Sequence, residues 1–121
     1  MNKILLVDDA PMIIKIVSLA LKSKDIEIDS AGNYDEAMAR IETTPYQFGI
    51  FDMNMPGKNG IELLQAVKEH PNGESMQVIM LTTETATDLR EKAQQAGAVA
   101  WLTKPFQEKD LHTVLAKLNA F

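Results

Sequence analysis

Cysteine is absent from this 121-residue chain, so disulfide bonds and thiolate metal sites are excluded. No apolar run approaches the length needed to cross a bilayer, and the opening letters MNKILLVDD lack a signal-peptide layout. We therefore expect a cytoplasmic protein with no membrane partner. Basic residues are fewer than acidic ones, 12 against 17, and the formal net charge is −5. This negative charge argues against non-specific binding to nucleic acid. The length suits one domain, expected over residues 1–121.

Short apolar runs alternate with helix-like stretches along the whole chain. Three of the runs are continuously apolar, which is typical of strands buried on both faces of a sheet. The second run in chain order, residues 26–30, is more polar and predicts a weaker, partly exposed strand. The predicted strands cover residues 3–7, 26–30, 48–51, 78–82 and 99–103.

Between these runs, apolar residues recur at helical spacing. Pro11 suits a first helical position, and Asn33 with Glu36 three residues later predicts a helix N-cap. The stretch 86–96 is helical in pattern but thinly apolar, and the last helix is predicted over 107–120. Because the connections are short, successive strands must run parallel with right-handed crossovers. The pattern predicts an α/β fold, a doubly wound five-stranded parallel sheet between helix layers, and leaves the strand order open.

Polar side chains follow the strands at the points where they stop. Asp8 and Asp9 end the first strand, Asp52 ends the third, and Thr82 and Lys104 stand at the ends of the fourth and fifth. In an open parallel sheet, ligands bind at this edge. Three like charges gathered there would repel one another and need a cation. Oxygen ligands beside a phosphate favour Mg²⁺, which is therefore the predicted cofactor.

A magnesium site of this kind suits phosphoryl transfer to a carboxylate nucleophile. Asp52 has the best position for that role because it lies in the middle of the edge. Asp9 and Asp52 are predicted as direct magnesium ligands, Asp8 as a direct or water-mediated one, and the backbone carbonyl of Asn54 as a further one. The strand-end lysine can add a second positive group, and the strand-end threonine can donate a hydroxyl hydrogen bond. Each of these residues is unremarkable alone, so the prediction depends on their joint placement.

Four separate strings resemble the bacterial response-regulator receiver domain. They are LLVDD, FDMNMPGKNG, IMLTTE and AWLTKPF, and they follow the order and spacing of that family over essentially the whole chain. The resemblance implies the flavodoxin-like strand order 2-1-3-4-5, which places the first and third strands side by side. It also implies a two-component response regulator rather than an enzyme, with only self-catalysed phosphotransfer and autodephosphorylation.

The resemblance assigns a role to each strand-end residue. Asp52 is similar to the aspartate that accepts a phosphoryl group from a phosphohistidine on a sensor histidine kinase. Asp8 and Asp9 are similar to the acidic pair that holds Mg²⁺, together with the Asn54 carbonyl. Thr82 is similar to the switch hydroxyl.

Further along the chain, Trp101 takes the place of the switch aromatic and Lys104 that of the family's lysine, followed by a cis bond to Pro105. Asn54 and Glu84 stand where they would flank a water attacking the acyl phosphate, which predicts a short-lived phosphorylated state.

Trp101, Asn54 and Glu84 also resemble the chemotaxis subgroup of single-domain regulators. This similarity predicts a monomer that binds a target protein through its helix 4, strand 5 and helix 5 face, with a flagellar motor switch protein as the natural target. No DNA-binding block follows in this sequence, so the expected output is protein binding. The alternative within the family is a receiver domain taken from a longer regulator with a separate output domain.

Two other protein classes share parts of this pattern. A haloacid-dehalogenase-type phosphatase uses a strand-end aspartate and Mg²⁺, but it needs a second acid two residues on, where this chain has Asn54. A flavodoxin-like electron carrier needs a hydroxyl- and glycine-rich phosphate loop after the first strand. Here Asp8 and Asp9 would repel a phosphate at that place.

Overall fold

A computed structural model describes residues 2–55, 57–83 and 87–120. Five strands alternate with five helices in this part of the chain. In chain order the elements are β1 (Asn2–Val7), α1 (Pro11–Ala20), β2 (Ile26–Ala31), α2 (Tyr34–Thr43), β3 (Phe48–Asp52), α3 (Gly60–Glu69), β4 (Gln77–Thr82), α4 (Thr87–Ala96), β5 (Ala98–Thr103) and α5 (Glu108–Lys117).

All five strands run parallel in one sheet of order β2-β1-β3-β4-β5. The predicted α/β class and the strand order implied by the resemblance are therefore both confirmed. From β1 the chain moves outward to β2 and then returns to β3 on the other side of β1. Val7 pairs with Phe51 across β1 and β3. This reversal of strand order places the carboxyl ends of β1 and β3 next to each other.

Alternation along the strands feeds two hydrophobic cores, one on each face of the sheet. In β1, Leu5 and Val7 join a core with α2, α3 and α4, whereas Ile4 and Leu6 join a core with α1 and α5. Residues 4–7 are all fully buried, as expected for a strand covered on both faces. The molecule is thus a three-layer sandwich.

Local signals in the sequence explain some of the helix ends. The Asn33 side chain accepts a hydrogen bond from the Glu36 backbone N–H at 2.9 Å, so the predicted cap of α2 is confirmed. The last helix is shorter than predicted, because α5 ends at Lys117 and the chain then turns through Asn119 at φ 61°. Ala86, the predicted first residue of the fourth helix, lies outside the described residues. None of the helices in the described ranges is long and apolar enough to span a membrane.

Candidate phosphoryl-transfer site

Three carboxylates converge at the carboxyl ends of β1 and β3. Asp8 is fully buried and Asp52 is 4% exposed, whereas Asp9 is exposed to solvent. One ligand oxygen from each of the three lies within 4.8 Å of the others. The adjacency of β1 and β3 brings these side chains together across more than forty positions of sequence, as the strand-end pattern predicted.

Backbone amides orient the two buried carboxylates. Asp8 Oδ1 accepts a hydrogen bond from the Ala10 N–H at 2.9 Å, and Asp52 Oδ1 accepts one from the Asn54 N–H at 3.2 Å. Each aspartate is thus held by the amide two residues further on, an arrangement that short acidic side chains favour at turns. The loop after β3 therefore has a direct part in aiming Asp52.

A glycine lets α3 begin directly against the end of β3. The Gly60 N–H donates to the Met53 carbonyl at 3.0 Å, and a Cβ added to Gly60 would clash with the Asp52 carbonyl and with Met80. Only glycine allows so close an approach between a helix start and a strand end. Asn59 and Glu62 then form a capping box at the start of α3.

Lys104, which directly follows the edge strand β5, contacts the two buried carboxylates. Its Nζ lies 2.8 Å from Asp8 Oδ2 and 3.2 Å from Asp52 Oδ1. Its backbone N–H donates to the Thr82 carbonyl at 2.8 Å, which ties the end of β5 to the end of β4. The peptide bond between Lys104 and Pro105 is cis, as the resemblance implied.

Burial and like charge act against ionisation of the central aspartate. Burial raises the pKa of Asp52, and the neighbouring Asp8 charge raises it further, while Lys104 and the Asn54 N–H act in the opposite direction without cancelling the rise. Burial lowers the pKa of Lys104, but hydrogen bonds and attraction from Asp8 and Asp52 outweigh that effect, and the net pKa is raised. The lysine therefore stays charged and offsets part of the negative charge of the site.

The other residues predicted for the site and the switch that the structure describes lie on β4, on β5 and in the loop after β3. Thr82 is buried at the end of β4, directly beside β3, and pairs with Thr103 of β5. Trp101 is half-buried on β5 and pairs with Met80. Asn54 is exposed in the loop after Asp52. Glu84 lies outside the described residues.

The donor set fits a hard divalent cation. Three carboxylates against one ammonium leave excess negative charge, and all of the side-chain ligands are oxygens. Mg²⁺ prefers oxygen ligands and is commonly held by one or two carboxylates plus a phosphate. Asp8, Asp9 and Asp52 are the residues that would hold it, and when bound it would neutralise charge on phosphoryl oxygens.

The sequence profile of the response regulator receiver domain matches residues 4–116. The chain belongs to this family. It is 37% identical over 105 residues to a probable chemotaxis protein CheY of Rhizobium etli, covering 86% of this chain and 81% of that protein. It is 32% identical over 110 residues to the transcriptional regulatory protein ResD of Bacillus subtilis, covering 91% of this chain. The receiver domain spans only 45% of the length of ResD.

Solved structures agree with this membership. The chemotaxis protein CheY4 of Vibrio cholerae superposes with a TM-score of 0.91 at 33% identity, covering 97% of this chain and 98% of that one. The receiver domain of the Pseudomonas aeruginosa sensor histidine kinase PA1611 gives a TM-score of 0.87 at 25% identity, covering 99% and 98%. That structure carries a magnesium ion coordinated in its active-site cleft. The present chain is thus a CheY-like receiver domain.

One residue that contacts the predicted switch aromatic was not predicted from the sequence. The Arg90 guanidinium of α4 lies over the Trp101 ring, with 5.0 Å between Cζ and the ring centroid. A signal was available, since Arg90 stands three residues before Ala93 and therefore on the same helix face. Ala93 is the buried residue of that face.

Proposed function

We propose that this receiver domain takes a phosphoryl group onto Asp52 from the phosphohistidine of a sensor histidine kinase. The observation that carries the proposal is the Lys104 ammonium, which contacts both Asp8 and Asp52 within a cluster of three carboxylates. A lone acidic cluster has many explanations. An acidic cluster with a half-buried ammonium on its central carboxylate matches the needs of a phosphorylated product, which requires both an acceptor and a cation for its oxygens.

In the proposed reaction, an Asp52 carboxylate oxygen forms a bond to phosphorus as the phosphorus–nitrogen bond of the donor breaks. The imidazole leaves and takes a proton from solvent. Asp8, Asp9, Asp52 and the Asn54 carbonyl would hold Mg²⁺, which would supply charge neutralisation. Lys104 contacts a phosphoryl oxygen of the product, and Thr82 donates its hydroxyl to another. The chain therefore acts as a phosphoacceptor that catalyses its own modification, not as a turnover enzyme.

The proposed output is a change at the surface formed by α4, β5 and α5. The new phosphoryl charge draws Thr82 toward it, and Trp101 changes orientation to fill the space that opens. The similarity to CheY proteins supports a target in motility, such as a flagellar motor switch protein, bound by a cytoplasmic monomer. Asn54 and Glu84 are proposed to keep the phosphorylated state short-lived, so a phosphorylated form that persisted for hours with Mg²⁺ would contradict that part.

The decisive experiment is intact-mass measurement after incubation with Mg²⁺ and a small phosphodonor such as phosphoramidate. Wild type should gain one phosphoryl group, and Asp52→Asn should gain none. Asp25→Asn is a matched control. Asp25 is an exposed aspartate before the amino end of β2, away from the carboxyl ends of the strands, so its replacement should leave the gain intact. A phosphoryl group on the Asp52→Asn variant, or none on wild type, would refute the proposal.

A second candidate is a receiver domain that belongs to a longer regulator. The observation that favours it is the length of ResD, of which this chain spans less than half. The two candidates share the same chemistry at Asp52 and differ only in what the α4-β5-α5 surface contacts. Determining the full reading frame distinguishes them, because an output domain encoded after residue 121 would favour the longer regulator.

A further inference from the structure

A cation–aromatic contact joins α4 to β5 at the proposed switch. The Arg90 guanidinium carbon lies 5.0 Å from the centroid of the Trp101 ring. Both side chains are half-buried. Guanidinium groups are attracted to aromatic faces, and tryptophan is the strongest aromatic partner. The contact therefore favours one orientation of the Trp101 ring over others.

The ring is the principal partner that the structure gives to this arginine. Within the described ranges, Arg90 makes no ion pair within 4.0 Å, and its Nε is buried without a hydrogen-bond partner. Leaving a buried donor unpaired opposes the contact, while the partial removal of water strengthens the attraction to the ring. These opposing effects make the contact weak enough to break when the ring is drawn elsewhere.

Few other side chains attach α4 to the sheet. Among the α4 side chains that the structure describes, only Ala93 is buried, and Leu89 is half-buried. The apolar packing of α4 thus consists mainly of the alanine methyl groups of Ala93 and Ala96 and the half-buried Leu89, which contribute little, and the Arg90–Trp101 contact adds a further link to β5. The contact therefore links the orientation of the Trp101 ring to the position of α4.

We propose that Arg90 is a positioning residue that holds Trp101 in its resting orientation and so sets how readily the domain switches. The inference rests on the proposed phosphorylation of Asp52 and adds its regulation. Because the contact belongs to the resting orientation alone, its loss shifts the resting population toward the switched one. The strength of half-exposed cation–aromatic contacts gives a shift of about two- to fivefold.

The test uses the single tryptophan of the chain as its reporter. Acrylamide quenching is measured without phosphodonor on wild type, Arg90→Leu, Arg90→Lys and Lys92→Leu. Lys92 is an exposed cation on the same helix, so its replacement removes the same charge without touching the ring. We expect the quenching constant of Arg90→Leu to move toward that of phosphorylated wild type, where the ring turns inward. Arg90→Lys should restore most of the resting value, and Lys92→Leu should match wild type.

A second measurement separates positioning from a general loss of packing. The ratio of phosphorylated to unphosphorylated protein is measured at a limiting phosphodonor concentration with Mg²⁺. For Arg90→Leu this ratio should be about two- to fivefold above that of wild type. A merely structural role would lower this ratio or leave it unchanged. Equal quenching in resting wild type and Arg90→Leu, or an equal shift in Lys92→Leu, would overturn the inference. Failure of wild type to gain a phosphoryl group would instead refute the proposed function, and the resting quenching values would still show whether Arg90 positions the ring.

Discussion

The carboxylate site and the proposed output surface of this domain are packed very differently. At the site, all five residues of β3 are buried, and the last four residues of β1 are fully buried. At the proposed output surface, α4 buries Ala93 alone among its described side chains, and β5 leaves Val99 49% exposed. The carboxylates thus stand on a tightly packed support, while the surface that would change shape has little packing to lose.

This difference suggests why the two regions can be coupled without unfolding the domain. Elements that move in switching proteins come from the weakly stabilised part of a structure. A closely packed β1–β3 pair keeps the oxygens of the site at fixed separations, and a lightly anchored α4 can shift at small energetic cost. Substitutions in the two regions should therefore differ sharply in their effect on stability.

The largest effect is expected when the packed support is opened. Phe51→Ala removes a fully buried side chain from β3 and should lower the free energy of unfolding by about 3–5 kcal/mol. Leu89→Ala on α4 should cost about 1 kcal/mol or less, because that side chain is already half exposed. Urea unfolding followed by circular dichroism measures both. Equal losses of unfolding free energy in the two variants would contradict the difference in packing between β3 and α4.

A smaller effect of opposite sign is expected at Asp52, the proposed phosphoacceptor. Burial and the Asp8 charge raise the pKa of Asp52, so the ionised carboxylate destabilises the folded state at neutral pH. With magnesium chelated, Asp52→Asn should therefore raise the free energy of unfolding by an amount on the order of 1 kcal/mol.

The pH and metal dependence provide the controls for this prediction. The gain should vanish as the pH falls below the unfolded-state pKa of the aspartate, because the carboxyl is then neutral in both states. Added Mg²⁺ should stabilise wild type more than the variant and narrow the gap, because binding favours the folded state. A variant less stable than wild type without Mg²⁺ would contradict the prediction. Asp25→Asn should change little under the same conditions.

The last effect, similar in size, concerns the hydrogen bond between Tyr46 and Asp29 of the edge strand β2. The Tyr46 hydroxyl donates to Asp29 Oδ2 at 2.7 Å, and burial, followed by that hydrogen bond, raises the pKa of Tyr46 to about 12. An unfolded tyrosine ionises near pH 10. The contribution of Tyr46 to stability is therefore complete below about pH 10 and is lost as the pH rises through about 12.

Tyr46→Phe tests this titration directly. The variant should be less stable than wild type at about pH 9, by about 1 kcal/mol for the lost hydrogen bond. The difference should shrink as the pH approaches about 12, because only wild type loses the tyrosine contribution. Denaturant unfolding across this pH range measures the difference. A gap that stays constant over the whole range would show that Tyr46 does not titrate as its burial predicts.

Much of this arrangement was predictable from local signals. The continuous apolar runs identified the buried strands, the Asn33 cap was visible from its spacing to Glu36, and the strand-end positions identified Asp8 and Asp52. The end of α5 was not predictable, because Leu118 continues the apolar spacing of the helix while Asn119 turns the backbone out of it. The contact of Arg90 with Trp101 was harder to predict, because an arginine on a thinly apolar helix usually faces solvent even where it shares a helix face with a buried residue.

Periodicity and the short connections between elements were enough to predict which residues end the strands, that the strands are parallel, and that acidic oxygens collect at one edge. The folded structure was needed to show that Lys104 contacts Asp8 and Asp52 together and that Arg90 lies over Trp101. The first contact joins the ends of β1, β3 and β5, which are far apart in the sequence. The second joins consecutive elements, but its geometry depends on how α4 packs on β5 rather than on any local preference.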